Sequence, residues 1–566
     1  MAPVTRKRKP PARRVSPDAS ESSTVIASES EASPAPESQA KKRKVAKRAK
    51  ASGKKPWDGL FDPNSSEPVR KISACAPPAR VHTIHYHRPL LLDNKSGRTS
   101  LLNWFDSVSS SRSMPWRKPW IDPSTIPDPA ALRSALERRA YEVWISEIML
   151  QQTRVATVID YWNRWMAKWP TIHDLAAATP EDVLSAWRGL GYYSRATRIH
   201  EAAKLVVRDG EMGGLLPDDA MKLEAKVPGV GRYTAGAITA IVFGRPEAMV
   251  DGNVIRVLSR QLGSYADFKT SKAATEVIWA AADALVKAVA SDGPTAAGGS
   301  DRSGRWGQAL MELGSTVCTP KPNCAACPIS STCRVYEEGK LLADDASRDT
   351  GKLNPSVLDI ENMCTLCDLM DETETEPAKK NKTKPKKEAS ISQYFTKRET
   401  KPPPARDELS PEQMNMIVNH AARFPAKGVK KAVRVERNIV LAIRRHDGKY
   451  LIQKRPEKGL LANLWELPSV PPTEAMEHTN PWPAKTEKNM AISHVSRILQ
   501  RNLSDKGSPL KLTMHLHLFT LGEGHDDLLP TDLEARWETA EKIEEESMGT
   551  GMRKCWALVR EAEMES

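Results

Sequence analysis

The chain has 566 residues, with 84 Lys and Arg against 71 Asp and Glu, for a formal net charge of +13 and a pI near 9.2. That length holds two or three domains, and the charge favours a polyanionic partner, although a basic tail alone could produce the same figure. No apolar run approaches the ~18 residues of a membrane span and the start has no apolar signal core, so a soluble intracellular protein is expected and no membrane association.

Residues 1–75 are rich in Pro, Ser, Ala, Lys and Arg. They cannot bury enough surface to offset ordering entropy, and the segment is expected to be a disordered basic tail. The runs Arg6-Lys7-Arg8-Lys9 and Lys41-Lys42-Arg43-Lys44 read as nuclear import signals, or else as an arm that grips DNA unspecifically. Val81 to His87 carries three histidines. Thr99 to Val108 has a helical pattern, after which Pro115 leaves Trp116 and Arg117 to project from a loop. An aromatic beside a guanidinium can stack on a base and hold a phosphate; the alternative for Trp116 is a core tryptophan.

Tyr141 to Trp169 reads as one long helix whose Val143, Trp144, Ile148, Val155, Ile159 and Trp162 form a core-facing stripe. Glu147 sits beside that stripe, with Gln151 one turn on and Arg154 two turns on. Apolar surroundings raise a carboxyl's pKa and make it a proton donor near neutrality. Gly189-Leu190-Gly191 then breaks a helix and presents Tyr192 and Tyr193, as a wedge for a base stack or as packing. Arg195 and Arg198 follow as candidate phosphate contacts.

From Leu223 to Arg256 a helix ends, the chain breaks at Pro228-Gly229-Val230-Gly231, and a helix restarts over Arg232 to Phe243. The glycines let backbone approach a ligand, and the restarting helix aims free N–H groups at it, which suits phosphate. Val250-Asp251-Gly252-Asn253-Val254 places an acid between apolar residues, readable also as a corner with a capping Asp. Cys318, Cys324, Cys327 and Cys333 surround one C-x-x-C, a strong metal signal with zinc as the generic default. Residues 339–432 show no sustained apolar period and read as a flexible linker with two islands, one ending at Cys364-Thr365-Leu366-Cys367 and one over Glu388 to Arg398. From Val433 a strand, the turn His446-Asp447-Gly448 and a return strand open a second globular unit.

The strings E-I-M-L-Q-Q-T from Glu147, G-L-G-Y-Y from Gly189, V-P-G-V-G-R-Y-T-A-G-A from Val227 and V-D-G-N-V from Val250 occur in that order. Together they resemble a MutY-type adenine DNA glycosylase of the helix-hairpin-helix, endonuclease III superfamily, in its eukaryotic, fungal form. The resemblance implies a mainly α glycosylase domain over 76–338, built as a helix-hairpin-helix six-helix bundle plus an iron-sulfur loop at 318–333. It implies a C-terminal α+β Nudix-like domain over 433–566, carried by G-L-L-A-N-L-W-E-L-P from Gly459. No R-E-x-x-E-E helix follows Pro468, so no pyrophosphatase activity is expected.

By the same resemblance the chain would excise adenine paired with 8-oxoguanine or guanine in duplex DNA, as a monomer in the nucleus, with the mitochondrion as a second location. Glu147 would protonate adenine, Asp251 would stabilise the sugar cation, Asn253 would hold Asp251, and Tyr233 would hydrogen-bond in the site. Trp116, Arg117, Leu150 and Glu312 would line the adenine pocket. Gln152 and Tyr192 would fill the vacated stack, Thr153 and Leu190 would lie beside 8-oxoguanine, and Gly229, Val230 and Gly231 would hold phosphate. Ser508, in Gly507-Ser508-Pro509, stands where the family has a Phe-Ser-His loop, so either 8-oxoguanine recognition is altered or the stretch is mis-spliced.

Cys318, Cys324, Cys327 and Cys333 would hold a [4Fe–4S] cluster, with a first gap of five residues where the family usually has six. A zinc ion would sit on His87, Cys364 and Cys367, with Asp359 or Glu361 replacing an upstream cysteine that is absent here; the other reading of C-x-x-C is a metal-free relic. Glu388 to Phe395, with Ile391, Tyr394 and Phe395, resembles a sliding-clamp-binding peptide, or is a chance cluster. An endonuclease III-like lyase on oxidised pyrimidines is the alternative function, opposed by Tyr233 where such lyases carry a Lys. A non-catalytic DNA-binding protein and a nucleotide-pool hydrolase are weaker alternatives, opposed by Glu147 with Asp251 and by the missing Nudix box.

Overall fold

The computed structural model describes residues 57, 59–62, 80–293, 299–347, 363–368, 370, 409–428, 434–456, 461–462, 464–470, 494–499, 510–521 and 534–564. The N-terminal basic runs, Asp359, Glu361, the Glu388–Phe395 peptide and Ser508 lie outside the described residues.

The first two thirds of the chain is helical: α1 (Lys95–Val108), α2 (Pro129–Leu150), α3 (Val155–Lys168), α4 (Ile172–Ala177), α5 (Pro180–Ala186), α6 (Ser194–Arg208), α7 (Ala220–Lys226), α8 (Arg232–Phe243), α9 (Gly252–Leu262), α10 (Lys272–Ser291) and α11 (Asp301–Thr316). Their apolar faces close two cores. One gathers Trp144, Trp165 and Trp187 with residues of α2 to α6 and α8. The other gathers Leu101, Phe105, Val257, Leu285 and Trp306 from α1 and α9 to α11. Helix α8 packs on α2, α7 and α11 and so joins the two halves. A Cβ on Gly236 of α8 would lie 2.1 Å from the carbonyl oxygen of Ala248. Only glycine lets the chain that leads into Asp251 lie against this helix.

The expected long helix over Tyr141 to Trp169 is two helices. The chain breaks after Leu150, turns through Gln152 with φ +59°, and restarts at Val155. The apolar period hides the break, because nothing in Gln151-Gln152-Thr153-Arg154 forbids a helix; the cause is tertiary. Buried Arg195 from α6 donates through Nη1 to the carbonyl oxygens of Ile148, Met149 and Gln151 at 2.8, 3.2 and 2.7 Å. It thereby satisfies the last carbonyls of α2 in place of another helical turn. Its Nη2 donates to Leu190 and Gly191 oxygens at 3.3 and 3.0 Å. Arg195 is thus a structural clamp and not the expected phosphate contact.

The expected linker over 339–432 also differs. Helix α12 (Arg334–Ser347) runs into it, and α13 (Pro411–Ala422) packs against α12. Ser410 and Gln413 form a capping box with Pro411 in the first turn. Only Ile417, His420 and Ala421 of α13 are buried, which is why no apolar period announced it. His420 donates to Glu338 at 2.7 Å, and Glu338 also accepts from Arg80 at 2.8 Å and Tyr86 at 2.8 Å. One buried carboxylate therefore ties α13, α12 and the segment before α1 together.

The C-terminal part is a mixed sheet of β1 (Arg434–Arg444), β2 (Tyr450–Lys454), β3 (Trp465–Glu466), β4 (Ser469–Val470), β5 (His494–Leu499), β6 (Leu510–Thr520) and β7 (Ala535–Glu538). Its order is β3-β2-β1-β6-β5, with β4 on β1 and β7 on β2. β1 and β6 run parallel and the other pairs antiparallel. α14 (Ala540–Glu545) and α15 (Thr550–Met564) follow and cover one face through Ile543, Met552, Trp556 and Val559 against Val440, Ile452 and Leu516. Leu464, from the loop before β3, is buried in the first helical core, and Arg188 donates to the carbonyl oxygen of Glu544 at 2.7 Å. No helix among the described residues is long and apolar enough to cross a membrane.

Candidate active site and metal centres

Glu147 and Asp251 are delivered by opposite halves of the helical part. Glu147 lies near the C-terminus of α2, 7% exposed, and accepts a hydrogen bond from the Tyr233 hydroxyl of α8 at 2.8 Å. The same hydroxyl stands 3.1 Å from the Met311 sulfur of α11. Asp251 is the N-cap of α9: its Oδ1 accepts from the Val254 amide at 2.7 Å, and its Oδ2 accepts from Asn253 at 2.8 Å. Asn253 is held in turn by Arg256, which donates to its Oδ1 at 2.8 Å. The capping reading and the functional reading of Asp251 describe one residue, since the cap leaves its charge fixed in direction.

Burial pushes the Glu147 carboxyl up to about 7; the Tyr233 hydrogen bond opposes that rise, Asp251 adds to it, and Arg117 opposes it. Burial, with Glu147 and Asp251 nearby, holds the Tyr233 phenol well above its ordinary value, so it stays a donor. A buried acid that keeps its proton near neutrality beside a fixed second carboxylate is an arrangement for protonating a leaving group and stabilising the cation left behind. Glu312, 3% exposed, accepts from Arg112 at 3.2 Å and Arg117 at 3.0 Å.

Trp116 does not project. It is buried and packs edge-on against Trp162 with ring centroids 6.0 Å apart, because its neighbours supply an apolar slot that outweighs the loop position. Gln152 and Tyr192 are exposed residues in two separate turns, each with positive φ, +59° and +50°. Left-handed backbone is costly for such side chains and tends to mark sites where function over-determines the fold. Both turns hang on Arg195, whose guanidinium also lies 5.4 Å from the Tyr192 ring centroid. Tyr193 is buried and its hydroxyl accepts from the Gly189 amide at 3.3 Å; it is packing. Leu190 is buried, and Leu150 and Thr153 are partly exposed.

At the hairpin, Gly229 has φ +82° and sits where a Cβ would come within 3.2 Å of Arg198. Gly231 caps α8 without a side chain. The Val230 amide, expected on phosphate, instead donates to Val227 at 3.2 Å and its side chain is buried. The turn that exposes Gly229 and Gly231 needs that internal bond. Among the described residues the amides of Gly229 and Gly231 have no partner.

Cys318, Cys324, Cys327 and Cys333 line one cavity with Arg260 and Tyr336. Burial pushes the Cys324 thiol up to about 11 and Cys327 to about 12, so thiolates there need a cationic partner. Four cysteines around one cavity, with no His, Asp or Glu in its lining, fit a cluster of iron and sulfide. Arg260 donates to the oxygens of Cys318, Thr319 and Pro320 at 3.3, 2.7 and 3.1 Å, and Asn323 N donates to Val317 O at 2.9 Å. The loop with the shortened first gap is therefore closed and pinned.

Ligand atoms of His82, His87, Cys364 and Cys367 all lie within 4.8 Å of one another. Among the described residues the fourth candidate donor is thus His82; Asp359 and Glu361, the acids expected there, lie outside them. The signal for His82 was the spacing His82-x-x-x-x-His87 beside C-x-x-C. Nδ1 of His87 lies 3.0 Å from the Leu262 oxygen, and Nδ1 of His82 is held by the Arg80 oxygen. Each ring thus turns its Nε2 inward, and the two Nε2 atoms stand 3.1 Å apart. Two inward lone pairs and two sulfurs at that spacing suit a tetrahedral cation whose histidines are oriented by backbone carbonyls.

The helical core, the hairpin and the two opposed carboxyls define the class. A family model described as HhH-GPD superfamily base excision DNA repair protein matches residues 145–282, and a NUDIX domain model matches residues 439–558. The chain is 34% identical over 488 residues to the adenine DNA glycosylase of Rattus norvegicus, covering 83% of this chain and 79% of that one. It is 34% identical over 502 residues to that of Homo sapiens, covering 85% and 77%, and 33% identical over 449 residues to that of Schizosaccharomyces pombe, covering 77% and 82%. This chain belongs to the adenine DNA glycosylase family. It is a base-excision repair enzyme that hydrolyses the N-glycosidic bond of adenine in DNA.

Proposed function

We propose that the adenine removed is the one mispaired with 8-oxoguanine or guanine, and that Glu147 and Asp251 carry the chemistry. The observation that supports this most is the buried Glu147 carboxyl bonded to Tyr233, opposite an Asp251 held by Asn253. A base inside a duplex is out of reach, so the nucleotide is first extruded at a cost of roughly a few kcal/mol. Gln152 and Tyr192 fill the vacated stack, Leu190 and Thr153 lie beside 8-oxoguanine, and Leu150, Trp116, Arg117 and Glu312 bound the adenine pocket. Glu147 then gives its proton to nitrogen 7 of adenine, a contribution of typically ~10²–10⁴ in rate. The glycosidic bond breaks with its electron pair going to the base, and Asp251 stabilises the sugar cation until water adds. The Gly229 and Gly231 amides at the N-terminus of α8 take a phosphate.

The test is adenine release from A·8-oxoguanine, A·G and A·C duplexes. Release is expected from the first two and little from the third. Equal release from all three would overturn the mispair assignment, and an efficiently borohydride-trapped adduct would point to the lyase alternative.

A [4Fe–4S] cluster on Cys318, Cys324, Cys327 and Cys333 and a zinc ion on His82, His87, Cys364 and Cys367 complete the reading. Bound zinc acts as a cross-link between the segment before α1 and the chain that follows α12. Metal analysis of purified protein is expected to find about four iron and about one zinc per chain. Cys364→Ser with Cys367→Ser should remove the zinc and leave the iron; zinc at background in the wild type would end the idea. The Glu388–Phe395 peptide is read as a sliding-clamp docking segment, and Lys41 to Lys44 as a nuclear import signal.

A further inference from the structure

The Tyr233 hydroxyl has two acceptors and one proton. Glu147 Oε2 lies 2.8 Å away on one side, and the Met311 sulfur 3.1 Å away on the other. Met311 lies partly buried, packed with Tyr233 and Ala237 of α8. A phenol donates once and accepts twice, and a thioether only accepts, weakly. Donation to Glu147 favours the carboxylate, which is the wrong form for a proton donor. Donation to Met311 frees the phenol oxygen to accept from a protonated Glu147.

We propose that Met311 is a positioning residue, whose sulfur competes with Glu147 for the Tyr233 proton and so helps keep Glu147 in its acid form. The inference rests on Glu147 being the proton donor. The other groups facing Glu147 are Asp251 at the start of α9, which favours the acid form, and Arg117 from the loop before α2, which opposes it. Glu312, next to Met311 on α11, is paired with Arg117 and Arg112, which blunts the influence of Arg117. Met311 is the neutral member of the set, and it acts through the direction of one hydrogen bond.

The experiment is single-turnover adenine release by the full chain on an A·8-oxoguanine duplex, across pH. The wild-type rate should fall as pH rises through about 7. Met311→Leu conserves volume but leaves Tyr233 only Glu147 to donate to. Its alkaline limb should lie lower by roughly half a pH unit, a threefold rate loss above neutrality, with the acid-side plateau kept. If Met311 merely packs, the more apolar leucine leaves the limb in place or raises it, and either result overturns the proposal. Tyr233→Phe should raise the limb, and adding Met311→Leu to it should change nothing further; a further downward shift in the pair would also overturn the proposal. Failure of the underlying reading looks different: the wild type would show no alkaline limb, or Glu147→Gln would turn over normally.

Discussion

Glu147→Gln should lose adenine release by ~10²–10⁴ or more, while holding a lesion duplex about as tightly as the wild type. Glutamine has the same shape and still offers an oxygen to the Tyr233 hydroxyl, 2.8 Å from the native carboxyl, so the pocket should survive while its proton source does not. The same substitution should also stabilise the fold at alkaline pH. The Glu147 carboxyl is raised from an ordinary 4.5 to about 7, chiefly by burial. Below 4.5 both the folded and the unfolded chain are protonated there. Between 4.5 and 7 the unfolded chain ionises first, so stability is lost as pH rises, on the order of 3 kcal/mol by pH 8. Thermal melts at pH 5 and pH 8 check this: the Gln variant should gain far more on the wild type at pH 8 than at pH 5. Wild-type turnover in the variant would remove Glu147 from the mechanism. Equal melting temperatures at pH 8 would contradict its burial as an acid.

Asp251→Asn should lower the rate of base release by ~10²–10³. Asparagine is as good an N-cap as aspartate, so the bond from the Val254 amide, 2.7 Å in the native site, and with it α9 should be kept. What goes is the negative charge held toward the site by Asn253. Asp251 also favours the protonated form of Glu147, so its loss should shift the alkaline limb to lower pH as well as reduce the plateau. A variant that melts like the wild type, binds duplex and is slow at every pH fits this account. Asp251→Ala removes the cap too and should cost about 1 kcal/mol of stability. If the asparagine variant kept its rate, the cap would be the whole role of Asp251. The two single losses should not add, because the two groups act on one bond-breaking event.

Much of this was legible in order along the chain. The restart of α8 at Arg232 was readable because Pro228 and the glycines interrupt an apolar period that then resumes. Glu147 was readable because a carboxyl beside Val143, Trp144 and Ile148 has no local reason to be there. The break between α2 and α3 was not readable, since the carbonyls of Ile148, Met149 and Gln151 are satisfied by Arg195, 44 or more residues away. Helix α13 was hidden because it buries only three residues, against a partner helix more than sixty positions earlier.

The sequence by itself determined the chemistry available. It set which residue types stand at each turn, two closely spaced cysteine groups, an acid inside an apolar stripe and a second acid after a glycine corner. These are local properties, written in neighbouring side chains and in backbone freedom. Only the tertiary structure decided which of those groups meet. It brought Tyr233 and Met311 to Glu147 from two other helices, turned Trp116 inward, spent Arg195 on carbonyls, and set His82 beside His87, Cys364 and Cys367. Contacts between distant segments depend on how whole faces pack, and the order of residues within any one segment does not encode that.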